Sequence, residues 1–128
     1  MIILDTHAWI WWWAKEGGGL SRSARKAIET ADRIGIATIS CWEVAMHAKR
    51  GRIDLDYPAA YWVDVALAVE RVVLLDFTPS VAVAAAELNW DNRDPADRMI
   101  VATAIIHEAP IVTRDRLIHA FPGVATIW

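Results

Sequence analysis

Four acidic residues stand where a chain of alternating strands and helices gathers its functional groups. Asp5 directly follows the apolar run Ile2-Ile3-Leu4, and Asp115 comes just after Pro110-Ile111-Val112, while Glu43 and Asp97 fall in the first turn of predicted helices. In parallel α/β sheets all four positions belong to one edge, because ligands bind beyond the carboxyl ends of the strands where the chain order reverses. Oxygen donors without a second cysteine or a paired histidine suit a hard cation, so Mg²⁺ or Mn²⁺ is expected rather than zinc, as one ion or two. Such an ion polarises a phosphoryl oxygen, lowers the pKa of a bound water and stabilises the leaving oxygen of an in-line displacement. Phosphodiester hydrolysis is the chemistry this set fits, given a cationic path for the backbone.

Each acid also has a simpler explanation. Ser40-Cys41-Trp42-Glu43 spells a capping box, in which the carboxylate bonds a backbone N–H. In Asp94-Pro95-Ala96-Asp97, Asp94 reads as an N-cap, Pro95 as the first helical residue and Asp97 as an acid favoured by the helix dipole by roughly 0.3–1 kcal/mol. Taken singly, Glu43 and Asp97 are not decided between the two roles. Asp5 is harder to explain away, since an acid at the end of a central strand is costly unless paired or metal-bound. Asp76 also follows a strand, and falls outside the cluster if that strand is at the sheet edge.

Cations for substrate lie on the Glu43 helix, where His47 and Arg50 follow at i+4 and i+7 and Lys49 and Arg52 are close by. A solvated helix end that complements the dipole accounts for them equally well. Arg98 and Arg114 adjoin site acids and either bind phosphate or balance carboxylate charge. His7, two residues after Asp5, is read as structural or exposed rather than as a base, and His107 and His119 are left at distal helix ends.

The elements that must position these groups alternate along the chain. Strands are predicted at residues 2–4, 34–37, 72–75 and 110–112, and helices at 6–14 (stopped by Gly17-Gly18-Gly19), 21–31, 40–50, 58–70, 79–88 and 95–107, with a short last helix and an apolar tail at 124–128. The helix at 95–107 is apolar on nearly every face and is expected to be central and buried. This pattern implies a mainly parallel sheet covered by helices on both faces, an α/β fold. On an ideal helix Trp9, Trp12 and Trp13 share one face and Trp11 points away, so one core cannot take all four.

Composition narrows the class. With 128 residues and 55% hydrophobic content the chain is expected to form one domain able to bury a core. The lone cysteine, Cys41, needs no oxidising compartment, and the apolar runs are far short of a bilayer span, so a soluble cytoplasmic protein is expected. A net charge of −3 excludes nucleic-acid binding by general basicity but not a nuclease with a local cationic strip. Eight tryptophans in so apolar a chain favour a permanent partner.

Together these motifs resemble the PIN-domain ribonucleases, and especially the VapC-type toxins of type II toxin–antitoxin pairs. Leu4-Asp5-Thr6-His7-Ala8 with the Trp9 to Trp13 cluster resembles that family's opening, Ser40-Cys41-Trp42-Glu43-Val44-Ala45 its second acidic motif, and residues 49–55 the basic segment after it. Asp94-Pro95-Ala96-Asp97-Arg98 resembles the third motif and Val112-Thr113-Arg114-Asp115 the fourth. The resemblance covers nearly the whole chain and implies a single PIN-like nuclease domain over residues 1–128, an α/β/α sandwich that cleaves RNA endonucleolytically with Mg²⁺ or Mn²⁺. It assigns metal binding and catalysis to Asp5, Glu43, Asp97 and Asp115, with Thr113 as hydrogen-bonding support and Asp94 further out; Lys49 and Arg52, by their place near Glu43, and Thr113 are the substrate-binding candidates. It also implies a homodimer held inactive by a cognate antitoxin; for the tryptophans core packing is the commoner explanation, with a dimer or antitoxin contact ranked ahead of base stacking. Ala96 and Asn92 depart from the common aromatic and histidine, which bears on substrate preference more than on metal.

Two alternatives come from other classes. A receiver-like phosphoacceptor domain would need a lysine at the end of a late strand, where this chain has Thr113-Arg114-Asp115; a dehalogenase-like phosphatase would need an aspartate at His7. A catalytically silent binding module with the same fold is the third reading, separable by a metal titration and an RNA cleavage assay.

Overall fold

The computed structural model describes residues 1–14 and 18–128, so Gly17 of the predicted helix stop lies outside the described residues. Strands β1 (Ile2–Leu4), β2 (Ile34–Ala37), β3 (Val72–Leu75), β4 (Ile111–Val112) and β5 (Thr126–Ile127) form one sheet in the order β3-β2-β1-β4-β5. Every neighbouring pair is parallel, with Ile3 opposite Gly35 on one side and Ile111 on the other. Chain order therefore reverses at β1, and the order differs from the 2-1-3-4-5 arrangement of receiver domains, which removes that alternative.

Helices α1 (Thr6–Trp13), α2 (Arg22–Thr30), α3 (Thr38–Lys49), α4 (Ala59–Leu67), α5 (Pro79–Glu87), α6 (Pro95–Ile106) and α7 (Arg116–Ala120) flank the sheet. Side chains leave a strand on alternate faces, and the core divides accordingly. Ile2, Leu4, Ile34, Ile36 and Val112 pack with Trp9, Ala24, Ile28 and Trp62 from α1, α2 and α4. Ile3, Ala37 and Ile111 pack on the opposite face with Ile100, Val101 and Ala104 of α6 and Ile118 of α7. The result is the expected α/β/α sandwich, with α5 seated on α6 through Val81, Ala85 and Ala102. Gly35 marks how closely that second face packs, since a Cβ there would stand 2.7 Å from Leu75 Cδ1.

Several ends differ from the sequence reading for long-range reasons. α3 begins at Thr38, not at residue 40; β2 runs straight into it, and the Thr38 hydroxyl donates to the Leu75 carbonyl at 2.9 Å. The N-cap is Ala37, so Ser40 is inside the helix and the capping-box reading of Glu43 is wrong. α4 stops at Leu67; Arg71, beyond it, takes a left-handed φ of 72° while its guanidinium donates to the carbonyls of Ile28 and Ala31. The apolar tail pairs with β4 as β5.

Arg98 does neither of the jobs considered for it. Its guanidinium donates to the carbonyls of Ala85, Ala86, Leu88, Trp90 and Asn92, tying the end of α5 and the loop after it to α6. That loop carries Asn92 and leads into Asp94. Arg98→Ala is expected to cost ~2–3 kcal/mol, because charge-assisted bonds to backbone are lost and partly buried carbonyls are left unpaired. Urea denaturation of the two proteins checks this; a cost under ~0.5 kcal/mol would return Arg98 to a surface charge.

Candidate active site

The carboxyl ends of β1 and β4 open into a cleft of about 490 Å³ whose lining includes Asp5, Glu43, Asp94, Asp97 and Asp115, together with His7, Trp11, His47 and Arg114. The reversal of strand order beside β1 leaves this gap, and helix starts face it. Asp76, exposed after edge strand β3, lies elsewhere.

Asp5 is only 8% exposed. Its Oδ1 accepts the Ala8 N–H at 2.7 Å, so it caps α1 as well as ending β1. Burial raises its pKa, and the charge on Asp115 adds to this; the Thr113 hydroxyl opposes the rise by hydrogen bonding to the carboxylate. Thr113 Oγ1 in turn accepts the Asp115 N–H at 2.9 Å, so one buried hydroxyl ties the two acids together. Asp115 Oδ1 accepts from Leu117 N and Ile118 N and starts α7.

Glu43 lies beyond the first turn of α3, turned toward α1. The Thr6 hydroxyl donates to its Oε1 at 2.5 Å, and the buried Ser40 Oγ lies 3.0 Å from Thr6 Oγ1. A hydroxyl has one proton to give, so with Thr6 donating to an ionised Glu43, Ser40 donates to Thr6. This relay fixes the carboxylate, whose pKa is raised by burial and further by Asp94 and Asp5. Asp97, in the first turn of α6, accepts from Asn92 Nδ2 at 2.9 Å. Its pKa is pushed up to about 7, chiefly by burial and then by the charges of Asp94, Asp115 and Glu43. Asp94 is the N-cap, accepting from Ala96 N and Asp97 N.

Thr6, Ser40 and Asn92 are supports that the sequence reading did not assign. Thr6 and Ser40 give no local signal, because their partners are 34 and 37 residues distant in the chain. Asn92 did carry one: its Oδ1 accepts the Asp94 N–H, an Asx turn foreshadowed by an asparagine two residues before the cap.

The cations separate. Arg50 and Arg52 line a hollow with Trp42 and Met46 that shares Glu43, His47 and Asp94 with the acid cleft. Lys49 is exposed and borders a different depression, beside Trp42, Ala45 and Met46. His47 is 9% exposed, with neither ring nitrogen hydrogen-bonded and Nε2 3.9 Å from Glu43 Oε2; burial lowers its pKa. His7 is exposed and faces the cleft.

The acids line the cleft without meeting at a point, and among the described residues no three His, Cys, Asp or Glu side chains form a ready-made metal cage. They nevertheless sense one another, and mutual repulsion is what a bound cation relieves. The donor set, carboxylates backed by hydroxyls and an amide, fits a hard divalent ion.

A parallel sheet covered on both faces is also what comparison with solved structures returns. The PIN-domain family model matches residues 2–124, and the chain belongs to that family. Within it the chain is of the VapC type: ribonuclease VapC22 of Mycobacterium tuberculosis is 41% identical over 130 residues, covering 99% of this chain and 98% of that protein. Among solved structures, a toxin–antitoxin complex from Klebsiella pneumoniae superposes with a TM-score of 0.70 at 22% identity, covering 98% of this chain and 97% of that one. VapBC2 from Rickettsia felis, bound to a promoter DNA fragment, gives 0.71 at 19% identity with the same coverage. At those identities the structures speak for the fold. Among the described residues no helix is long and apolar enough to cross a membrane.

Proposed function

We propose that this chain is a metal-dependent endoribonuclease and the toxin of a type II toxin–antitoxin pair. The observation that carries the reading is the convergence of Asp5, Glu43, Asp97 and Asp115 on one cleft, with three of the four held at raised pKa. A 41% identical relative bears the name ribonuclease, which supports RNA as the substrate.

These four carboxylates would hold Mg²⁺ or Mn²⁺, which when bound supplies an activated water and stabilises the leaving oxygen. The rest of the work falls to the chain. Thr113 holds Asp5, the Ser40–Thr6 relay holds Glu43, and Asn92 holds Asp97, so the donors are oriented before substrate arrives. Arg114 in the cleft and Arg52 in the adjoining hollow take the phosphates of the strand, with Lys49 acting further along it. Asp94 sets the start of α6 and adds negative charge behind Asp97.

The solved neighbours are toxin–antitoxin complexes, which supports a cognate antitoxin as partner. We read the active unit as a cytoplasmic homodimer built from one nuclease domain per chain. The test is cleavage of total RNA by the purified chain. Fragments are expected with Mn²⁺ or Mg²⁺ and none in excess EDTA. Full activity in EDTA overturns the metal mechanism, and no cleavage with either ion assigns the chain to a silent binding module.

A further inference from the structure

α1 carries four tryptophans that serve two purposes. Trp9, Trp12 and Trp13 pack into the core on one sheet face, Trp9 and Trp13 edge-on to Trp62. Trp11 belongs to none of the core clusters found among the described residues; it is half-buried and lines the acid cleft. Burial of a core therefore does not account for its place.

The indole is held firmly. Gly19 has a φ of +69°, and a Cβ there would stand 2.7 and 2.8 Å from Trp11 Cδ2 and Cε2, the atoms shared by the two rings. One face of the indole is thus closed by the Gly19 backbone. A side chain at that position would push the ring aside, and the left-handed backbone also favours glycine. The ring belongs to an aromatic group, with the Trp128 and His7 rings each centred 5.7 Å from it and tilted to it, and His47 5.4 Å from His7. Trp11, His7 and His47 all line the cleft that holds the acids.

We propose that Trp11 is a base-binding residue, the platform on which one unstacked base of the RNA lies beside the bond to be cut. This rests on the ribonuclease reading and adds to it the group that sets the register of the strand. A flat aromatic surface already fixed by its neighbours loses little entropy on binding, and every base has a π-face to offer it. An ion held by the carboxylates would take a phosphate wherever the strand lies; a base seated on Trp11 decides which phosphate that is. His7, exposed next to it with its ring tilted 46° to the indole, lines the same cleft.

The test is steady-state cleavage, in Mn²⁺, of a short labelled oligoribonucleotide with a mapped cut site and of a set in which each nucleotide in turn is made abasic. For the parent chain, removing one base next to the cut is expected to raise KM about tenfold, in the range of a lost base–aromatic stack. Trp11→Ala should raise KM on the intact RNA by a similar factor, erase the penalty of the abasic position and scatter the cut sites. Trp11→Phe should restore most of the register. Thermal melts check folding, and should Trp11→Ala not fold, the abasic series on the parent chain and Trp11→Phe decide the matter. The proposal is overturned by cleavage indifferent to every abasic position, or by an undiminished abasic penalty in a folded Trp11→Ala. A parent chain that cleaves no RNA takes the ribonuclease reading down first, and Trp11 with it.

Discussion

Asp5→Asn, Glu43→Gln and Asp97→Asn are each expected to lower RNA cleavage in Mn²⁺ or Mg²⁺ by roughly 10²–10³-fold, with the chain still folded. Each change keeps the shape of the side chain and its capacity to accept a hydrogen bond. The new carboxamide oxygen can still accept the Ala8 N–H in the first variant, the Thr6 hydroxyl in the second and the Asn92 amide in the third, so structure is preserved while negative charge is lost. On the proposed reading, losing one anionic ligand would weaken the hold on the ion, and each 1.36 kcal/mol so lost is about tenfold in rate. Asp76→Asn is the control, because Asp76 is exposed beyond edge strand β3 and should leave the rate unchanged within about twofold. Single-turnover rates with circular dichroism on the same samples read the outcome. Wild-type rates in all three site variants would remove the acids from the mechanism.

In the absence of metal, Asp97→Asn is expected to melt above the parent chain by roughly 5–10 °C at pH 7. Asp97 has an ordinary pKa of 3.8 and a folded pKa of about 7, raised by burial and by three nearby acids. A raised acid pKa means the folded state prefers the protonated form. The destabilisation is therefore absent below the unfolded value, grows as pH rises between 3.8 and about 7, and is at full size above that. Discounted for the solvent that still reaches the group, the penalty at neutral pH is on the order of 2 kcal/mol. Asparagine escapes it, so its advantage should shrink at pH 5. Saturating Mg²⁺ should reverse the order, because an ion that binds only the folded parent adds RT ln(1 + [L]/Kd) to it. Were Asp97 only a helix-terminal acid, the variant would instead lose roughly 0.3–1 kcal/mol at pH 7 and Mg²⁺ would change nothing. Melting curves at both pH values, in EDTA and in Mg²⁺, separate the two.

The layered fold was legible because its signals are local. Ile2-Ile3-Leu4 and Val72–Leu75 read as strands from their own residues, and Ser21, Thr78 and Asp94 mark helix starts by side chains that accept from the backbone two or three residues on. The division of the α1 tryptophans followed from helical geometry alone, and Trp11 does part company with the other three. What failed was long-range. Ser40-Cys41-Trp42-Glu43 imitates a cap, yet Ser40 is spent on Thr6 of another helix, and no local pattern reports that. Thr126–Ile127 is too short to announce itself as a strand and exists because β4 lies beside it. Arg98 looked like a site cation because it adjoins Asp97, whereas its carbonyl partners end a different helix. The acids at strand ends could be placed at one edge from sequence, and the family resemblance supplied Thr113, but the Thr6 and Ser40 hydroxyls behind Glu43 could not be read there.

The strand order has a consequence for how such a protein is made. β1 leaves the ribosome long before its neighbour β4 and the Thr113 that steadies Asp5. A nascent chain that stops short of β4 cannot assemble the cleft, since Asp5 lacks Asp115 and Thr113 until that stretch emerges and closes against it. On the proposed reading, a translating ribosome carries an inert chain through all the intervening strands and helices, and the nuclease first exists once β4 has slotted in beside β1. On that reading topology alone keeps the cleft of a partly made chain incomplete, before any inhibitor needs to find it.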